Sequence, residues 1–174
     1  MVEVEEPITE LTLEAPAGLI SVRAEVHEGK VRGVTFKNVP AFAVHLDTPV
    51  EVPELGTVIV DVAYGGMFFV IADAKPLGLT LTPDEAGDAV RLGEMIKAAT
   101  QEQLDCVHPD NPEIRGVTIG QLSAPPIGPD ADRRNTVIIS TGELDWDRPS
   151  TWKGVLDRSP CGTCLLYTSP SPRD

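Results

Sequence analysis

One cysteine of this 174-residue chain stands in a setting that could activate a thiol. Cys161 is followed by Gly162 and Thr163, two small residues that leave their backbone N–H groups accessible. If a helix begins there, its N-terminal dipole lowers the thiol pKa and its N–H groups can bind an anion such as a carboxylate. Asp157, just upstream, could accept hydrogen bonds from a cationic group. The residues alone also allow a second interpretation, in which Cys161 is a small buried hydrophobic side chain.

The other cysteines do not suggest a second site. Cys106 and His108 lie in the segment Asp105–Pro109, and we interpret both as structural residues. Three cysteines without paired spacing predict neither a disulfide framework nor a zinc site. We therefore expect no metal in this chain.

Strands dominate the elements that must position these residues. Alternating apolar residues predict paired strands within residues 11–42, with turns at Pro16–Gly18 and Glu28–Gly29. The proline-containing segment His45–Pro53 is predicted to be a linker. A second β unit is predicted from Gly56 to Ala72, with a bulge or a close backbone approach at its double glycine.

The clearest helix signal lies in the second half of the chain. Thr82 as N-cap and Pro83 at the first helical position predict the start, and apolar residues at helical spacing extend the helix to about Gln103. Two β-rich units with one long helix predict an α+β fold rather than a βαβ series. Beyond the helix we predict strands at Gly116–Leu122 and Asn135–Ser140, and an irregular insertion at Leu144–Lys153 packed by Trp146 and Trp152.

Charge and hydropathy exclude several classes of function. The chain carries 27 acidic and 14 basic residues, a net charge of −13, with no basic stripe that could bind a phosphate backbone. It has no apolar run long enough to span a bilayer, and its acidic N-terminus is unlike a signal peptide. We expect a cytoplasmic protein with no nucleic-acid or membrane partner.

Several segments together resemble the proline racemase family of amino-acid racemases. The string DRSPCGT, at Asp157–Thr163, is similar to the second active-site motif of that family. The strings LTLEAPAGLI, GKVRGVTFKNVPAF, VDVAYGGMFFVIADA and HPDNPEIRGV are similar to family segments and occur in the family order. Met67 is a departure, because the family usually has Asn after the double glycine.

The resemblance implies a fold and a mechanism. The fold is that of diaminopimelate epimerase, two α/β lobes with the active site between them. The mechanism uses two cysteines on opposite faces of the substrate α-carbon and needs neither pyridoxal phosphate nor another cofactor. Carried onto this chain, Cys161 is one acid/base, the backbone of Gly162 and Thr163 binds the carboxylate, and Asp157 pairs with the substrate ammonium. The substrate is proline or hydroxyproline, and a homodimer of the full-length enzyme is compatible with the resemblance.

The resemblance also predicts how the chain divides. Residues 1–48 correspond to the end of the first lobe and residues 49–163 to most of the second. Residues 164–174 resemble the in-frame translation of a transposase-type sequencing adapter, so Cys164 carries no chemistry. The first cysteine motif of the family, of the Met-Cys-Gly-His-Gly type, is absent. We therefore expect an internal fragment, truncated at both ends and inactive by itself.

Three functions stay open for the parent protein. The leading one is a proline racemase or 4-hydroxyproline 2-epimerase. A trans-3-hydroxy-L-proline dehydratase of the same family is the alternative, but such dehydratases typically carry Thr where Cys161 stands, so Cys161 favours the two-base isomerase. The third is a non-catalytic fragment.

Overall fold

The structure is a computed structural model that describes residues 3–158. The chain divides into two compact units, the first ending at Ala41 and the second beginning at Phe42. Thr48, after which the lobe boundary is predicted, lies within the strand Phe42–Val52 of the second unit. The assignment of the units to the two lobes of an epimerase stays a prediction.

Three antiparallel strands make up the first unit, in the order β1-β2-β3. They span Ile8–Ala15 (β1), Gly18–His27 (β2) and Lys30–Lys37 (β3). Glu28 and Gly29 connect β2 to β3 with φ values of 54° and 70°, as a type I′ hairpin turn requires. The turns predicted in this stretch are confirmed.

The second unit is a six-stranded sheet with one long helix, in the order β4-β5-β6-β7-β8-β9. Neighbouring strands are antiparallel except β6 and β7, which are parallel because the helix crosses over between them. The predicted α+β class is confirmed. The elements are β4 (Phe42–Val52), β5 (Gly56–Tyr64), β6 (Phe68–Asp73), α1 (Ala86–Gln103), β7 (Ile119–Ala124), β8 (Arg134–Ser140) and β9 (Gly154–Asp157).

Helix α1 ends at Gln103 as the sequence predicts, whereas its first α-helical residue is Ala86 rather than the predicted Pro83. A single 3-10 turn, Pro83–Glu85, precedes it, and the Glu85 carboxylate accepts a hydrogen bond from the backbone N–H of Thr82 at 3.1 Å. That bond and those from Thr80 hold the pKa of Glu85 below its usual value. At the other end, Gln103 exchanges two hydrogen bonds with the backbone of Glu51, which ties the helix to β4.

One buried layer of the second unit lies between α1 and one face of the sheet, and a second buried cluster of Ala63, Phe69, Ile71 and Val137 lies on the other face. Two glycines let the helix approach closely: a Cβ on Gly93 would lie 2.7 Å from the Cδ1 atom of Ile138, and one on Gly120 would lie 3.2 Å from the carbonyl oxygen of Gly93. Large side chains fill the remaining space and are almost completely buried: Val60, Val62, Met95, Ile96, Leu122 and Ile138.

The linker predicted at His45–Pro53 is wrong, because the whole segment except Pro53 belongs to β4, which ends at Val52. The linker was predicted because the segment contains two prolines, Pro49 and Pro53, which are uncommon inside strands. Pro49 pairs with Ile59 of β5, and β4 lies at the edge of the sheet, where a residue without an N–H group is tolerated. The opposite edge strand, β9, was not predicted.

Candidate active site

The structure describes only part of the predicted site. Asp157 is the last residue of β9 and pairs with Val137 of β8. Cys161, Gly162 and Thr163 lie outside the described residues. The described residues form the framework that leads the chain to the cysteine motif.

A buried carboxylate joins α1 to the two strands nearest that motif. Glu94 Oε1 accepts a hydrogen bond from Ser140 Oγ at 3.0 Å, and Glu94 Oε2 accepts one from Lys97 Nζ at 3.2 Å. The side chains of Glu94 and Lys97 are 2% and 8% exposed. Gly154, the first residue of β9, lies against this group, since a Cβ there would be 3.2 Å from Glu94 Oε1 and 2.7 Å from the carbonyl oxygen of Ile139. The helix thus holds β8 and β9 at the point where β9 begins.

The insertion between β8 and β9 is ordered around Asp145. Its backbone carbonyl accepts a hydrogen bond from Trp152 Nε1 at 2.9 Å, and its backbone N–H donates to Thr151 Oγ1 at 2.9 Å. A hydrogen bond from Arg148 Nε is the main cause that lowers the pKa of the Asp145 carboxyl. Trp146 Nε1 donates to Glu102 of α1 at 2.8 Å. Both tryptophans therefore anchor the insertion, as predicted.

Asp157 belongs to a row of residues that crosses the sheet on the face pointing away from α1. Gly120, Ile138 and Gly154 face the helix, so the residues that alternate with them face the other way. The cross-strand partners follow one another through all five strands from β5 to β9. We call this set the Asp157 row: Asp61, Ile71, Gln121, Val137 and Asp157.

Gln121, at the centre of the Asp157 row, is the polar group that sequence reasoning missed. It is 1% exposed, and within the described part of the chain neither its Nε2 nor its Oε1 has a hydrogen-bond partner. Its neighbours in the row, Ile71 and Val137, are apolar and buried. In the sequence, Gln121 has no distinguishing signal, because a polar residue in an alternating strand is expected to face solvent.

Cys106 and His108 have the surroundings of structural residues. Cys106 is 1% exposed, and burial, followed by the charge of Asp105, raises the pKa of its thiol. A raised pKa disfavours the thiolate that an acid/base cysteine needs. The ring of His108 packs edge-on against Tyr64 and Phe42, with ring centroids 4.8 and 5.3 Å apart.

The double glycine forms the turn between β5 and β6. Gly66 has φ of 111°, and the N–H of Gly65 donates to the carbonyl of Met67 at 3.1 Å. Phe68 is buried beside Tyr64, whereas Met67 is 42% exposed. The residue that departs from the family pattern thus lies at the surface of a tight turn.

Residues 3–158 contain neither a cluster of metal ligands nor a membrane-spanning helix. These residues contain no group of three or more His, Cys, Asp or Glu side chains arranged to hold a metal ion. None of the helices within this range is long and apolar enough to cross a bilayer.

Comparisons with known proteins agree on one family. The family model described as proline racemase matches residues 1–166. An uncharacterised protein of Bacillus anthracis is 39% identical over 163 residues, which are 94% of this chain and 44% of that protein. The proline racemase of Clostridioides difficile is 36% identical over 158 residues, which are 91% of this chain and 44% of that protein. The chain thus spans less than half the length of these relatives.

Two crystal structures are similar to the chain over nearly all of its length. One is a probable proline racemase from Agrobacterium radiobacter with bound carbonate, 30% identical with a TM-score of 0.78; the match covers 98% of this chain and 48% of that one. The other is a hydroxyproline epimerase from Agrobacterium vitis with bound trans-4-hydroxy-L-proline, 32% identical with a TM-score of 0.78; the match covers 99% of this chain and 49% of that one. The chain therefore has the fold of about half of such an enzyme.

Proposed function

Because the chain belongs to the proline racemase family, we propose that it forms part of a racemase or epimerase that inverts the α-carbon of proline or hydroxyproline. The observation that carries this proposal is the family match over residues 1–166, which includes the motif Asp157–Thr163. In its support, β9 ends at Asp157, so the fold delivers the chain directly to that motif.

Inversion requires a base on one face of the α-carbon and an acid on the other. In the proposed mechanism, one cysteine thiolate removes the α-proton, and the electron pair left on the α-carbon is stabilised towards the substrate carboxylate. The second cysteine thiol delivers a proton from the opposite face, so the configuration inverts and the two sulfurs exchange protonation states. Cys161 is one of the pair, and the other is supplied by a part of the protein outside this chain.

The α-proton of an amino acid is a very weak acid, so the site must stabilise the carbanion. We assign the backbone N–H groups of Gly162 and Thr163 to the substrate carboxylate, where they act on the charge that develops in the transition state. Asp157 accepts hydrogen bonds from the substrate ammonium. Exclusion of water strengthens both interactions.

Exchange of the α-proton in deuterated water tests the proposal. The complete gene product, incubated with L-proline or trans-4-hydroxy-L-proline, should lose the α-proton signal and form the other stereoisomer. Cys161→Ser should lower the rate by about 10²–10⁴ or more, the usual contribution of an acid/base group. Cys106→Ala is the matched control and should retain activity, since Cys106 is buried with a raised pKa.

Two results would contradict the proposal. Exchange that survives Cys161→Ser would remove Cys161 from the mechanism. Loss of water from added trans-3-hydroxy-L-proline, without inversion of the other two substrates, would indicate the dehydratase instead. The 174-residue chain by itself should show no exchange, because the second cysteine of the pair is not in its sequence.

A further inference from the structure

We propose that Glu94 is a positioning residue for the reaction: together with Gly154 it sets the register of β9, and so determines the face of the sheet from which Asp157 projects. This inference rests on the proposed function, in which Asp157 pairs with the substrate ammonium and the cysteine motif follows it. Glu94 belongs to helix α1, and it is 1% exposed.

The pairing of β9 by itself specifies the register of that strand weakly. The strand lies at the edge of the sheet and pairs with β8 through only four residues, from Gly154 opposite Ser140 to Asp157 opposite Val137. Its one valine, Val155, is half exposed and therefore anchors it poorly. Because side chains alternate between the two faces, a slip of one residue would turn Asp157 towards the helix. A further contact must therefore fix the register.

That contact lies at the first residue of β9. A Cβ on Gly154 would lie 2.7 Å from the carbonyl oxygen of Ile139 and 3.2 Å from Glu94 Oε1. The backbone conformation does not require glycine here, since Gly154 is not among the residues with positive φ. In a slipped register Lys153 or Val155 would take its place, and neither side chain has room there. Only the observed register therefore fits.

The carboxylate of Glu94 is a fixed wall of this gap because both of its oxygens are bonded. Oε1 accepts a hydrogen bond from Ser140 Oγ at 3.0 Å, and Oε2 accepts one from Lys97 Nζ at 3.2 Å. Ser140 is the residue that pairs with Gly154, so one oxygen of Glu94 holds one member of this pair and limits the space beside the other. Asp157 follows three residues later, about 10 Å along the strand. Its position therefore depends on the register set at the helix.

Two double variants separate the oxygen at residue 94 from the buried charges. Glu94→Gln/Lys97→Gln removes the ion pair but keeps an oxygen that can accept from Ser140, whereas Glu94→Met/Lys97→Met removes that oxygen as well. Replacing a buried ion pair by uncharged side chains of similar volume often leaves stability unchanged. In the complete gene product, the Gln variant should keep the KM for L-proline or trans-4-hydroxy-L-proline within about twofold, and the Met variant should raise it about tenfold, the effect of weakening one charged hydrogen bond.

The KM distinguishes positioning from a purely structural contribution. A smaller folded fraction lowers the apparent kcat but leaves the KM unchanged, whereas a displaced Asp157 weakens substrate binding and raises the KM. Gln103→Met is the control, because it cuts the tie between α1 and β4 at the opposite edge of the sheet. It should lower the melting temperature and leave the KM unchanged.

A pair of glycine variants gives a second test that holds even if the Met variant fails to fold. Gly154→Ala should displace β9 and raise the KM, whereas Gly142→Ala, where a Cβ would have no atom within 4 Å, should not. Amide hydrogen exchange gives a readout that does not depend on activity. In the 174-residue chain, residues 154–157 should exchange faster in Gly154→Ala than in the wild type, and at the wild-type rate in Gly142→Ala.

The outcomes separate this inference from the proposed function. Equal KM values in the two double variants, or an unchanged KM in Gly154→Ala, would overturn the positioning role of Glu94 and leave the racemase proposal standing. A wild-type protein that does not exchange the α-proton of either substrate would overturn the proposed function. The hydrogen-exchange comparison would then still decide whether the gap at Gly154 sets the register of β9.

Discussion

The carboxylate of Glu94 accepts a hydrogen bond from the hydroxyl of Ser140, which joins the middle of the long helix to the last residue of β8. Lys97 neutralises the same carboxylate from one helical turn away. The chain then leaves β8, passes through the tryptophan-anchored insertion and returns as β9, beside the same carboxylate. Glu94 therefore fixes the end of β8 and the start of β9, the strand that leads to the cysteine motif, to helix α1.

Removing the cation of this buried pair should be costly. Lys97→Met leaves the charge of Glu94 buried with only Ser140 as a partner, and loss of one member of a buried ion pair costs roughly 3–5 kcal/mol. Arg91→Met is the control, because Arg91 pairs with Asp88 at 3.9 Å on the exposed side of the same helix, where a pair contributes about 0–1 kcal/mol. Urea unfolding of the chain measures both changes, and equal losses would contradict the assignment.

Adding a single methyl group at the contact between the helix and the sheet should destabilise the protein. Gly93→Ala places a Cβ 2.7 Å from Ile138 Cδ1 and 2.9 Å from Ile138 Cγ1, so the Ile138 side chain, which is completely buried, would have to shift within a packed core. We expect a loss of about 1–3 kcal/mol from overpacking, although alanine is the better helix former. Gly87→Ala, in the same helix but with open space around it, should instead stabilise by about 0.5–1 kcal/mol. Urea midpoints of the two variants should therefore shift in opposite directions.

The buried thiol of Cys106 should make stability fall at alkaline pH. Burial, followed by the charge of Asp105, raises the pKa of this thiol in the folded chain above that of an exposed thiol. Below the pKa of the exposed thiol both folded and unfolded chains keep the proton; above it the unfolded chain releases the proton first, so stability decreases as pH rises. The loss of unfolding free energy between pH 7 and pH 10 should be smaller in Cys106→Ala than in the wild-type chain. An unchanged pH slope would show that Cys106 is not shielded from solvent.

The two tryptophans of the insertion should differ in importance. Trp152 is buried and donates to the carbonyl of Asp145, whereas the indole of Trp146 bonds Glu102 at the surface. Trp152→Phe should therefore speed amide hydrogen exchange in residues 145–152 more than Trp146→Phe does. Equal exchange in the two variants would mean that the insertion is held by its contact with α1 rather than by the hydrogen bond of Trp152 within it.

Features that depend on local chemistry could be predicted from the sequence alone. Thr82 and Pro83 marked the start of the helix through capping, and Glu28–Gly29 marked a hairpin through its backbone preferences. The segment Asp157–Thr163 indicated the family, because a motif of consecutive residues can be recognised without knowing the fold around it. Each of these signals lies within a few consecutive residues.

Contacts between residues far apart in the sequence could not be predicted, because they depend on how the strands and the helix pack together. By its sequence Pro49 indicates a linker, but strand pairing places it in a strand at the sheet edge. Gln121 looks like an ordinary strand residue, but the pairing of β7, β8 and β9 aligns it with Asp157. Glu94, spaced like any surface carboxylate of a helix, is buried because the sheet closes over it and Ser140 meets it. Strand order and register arise from the packing of the whole unit, and they determine which polar side chains are buried together.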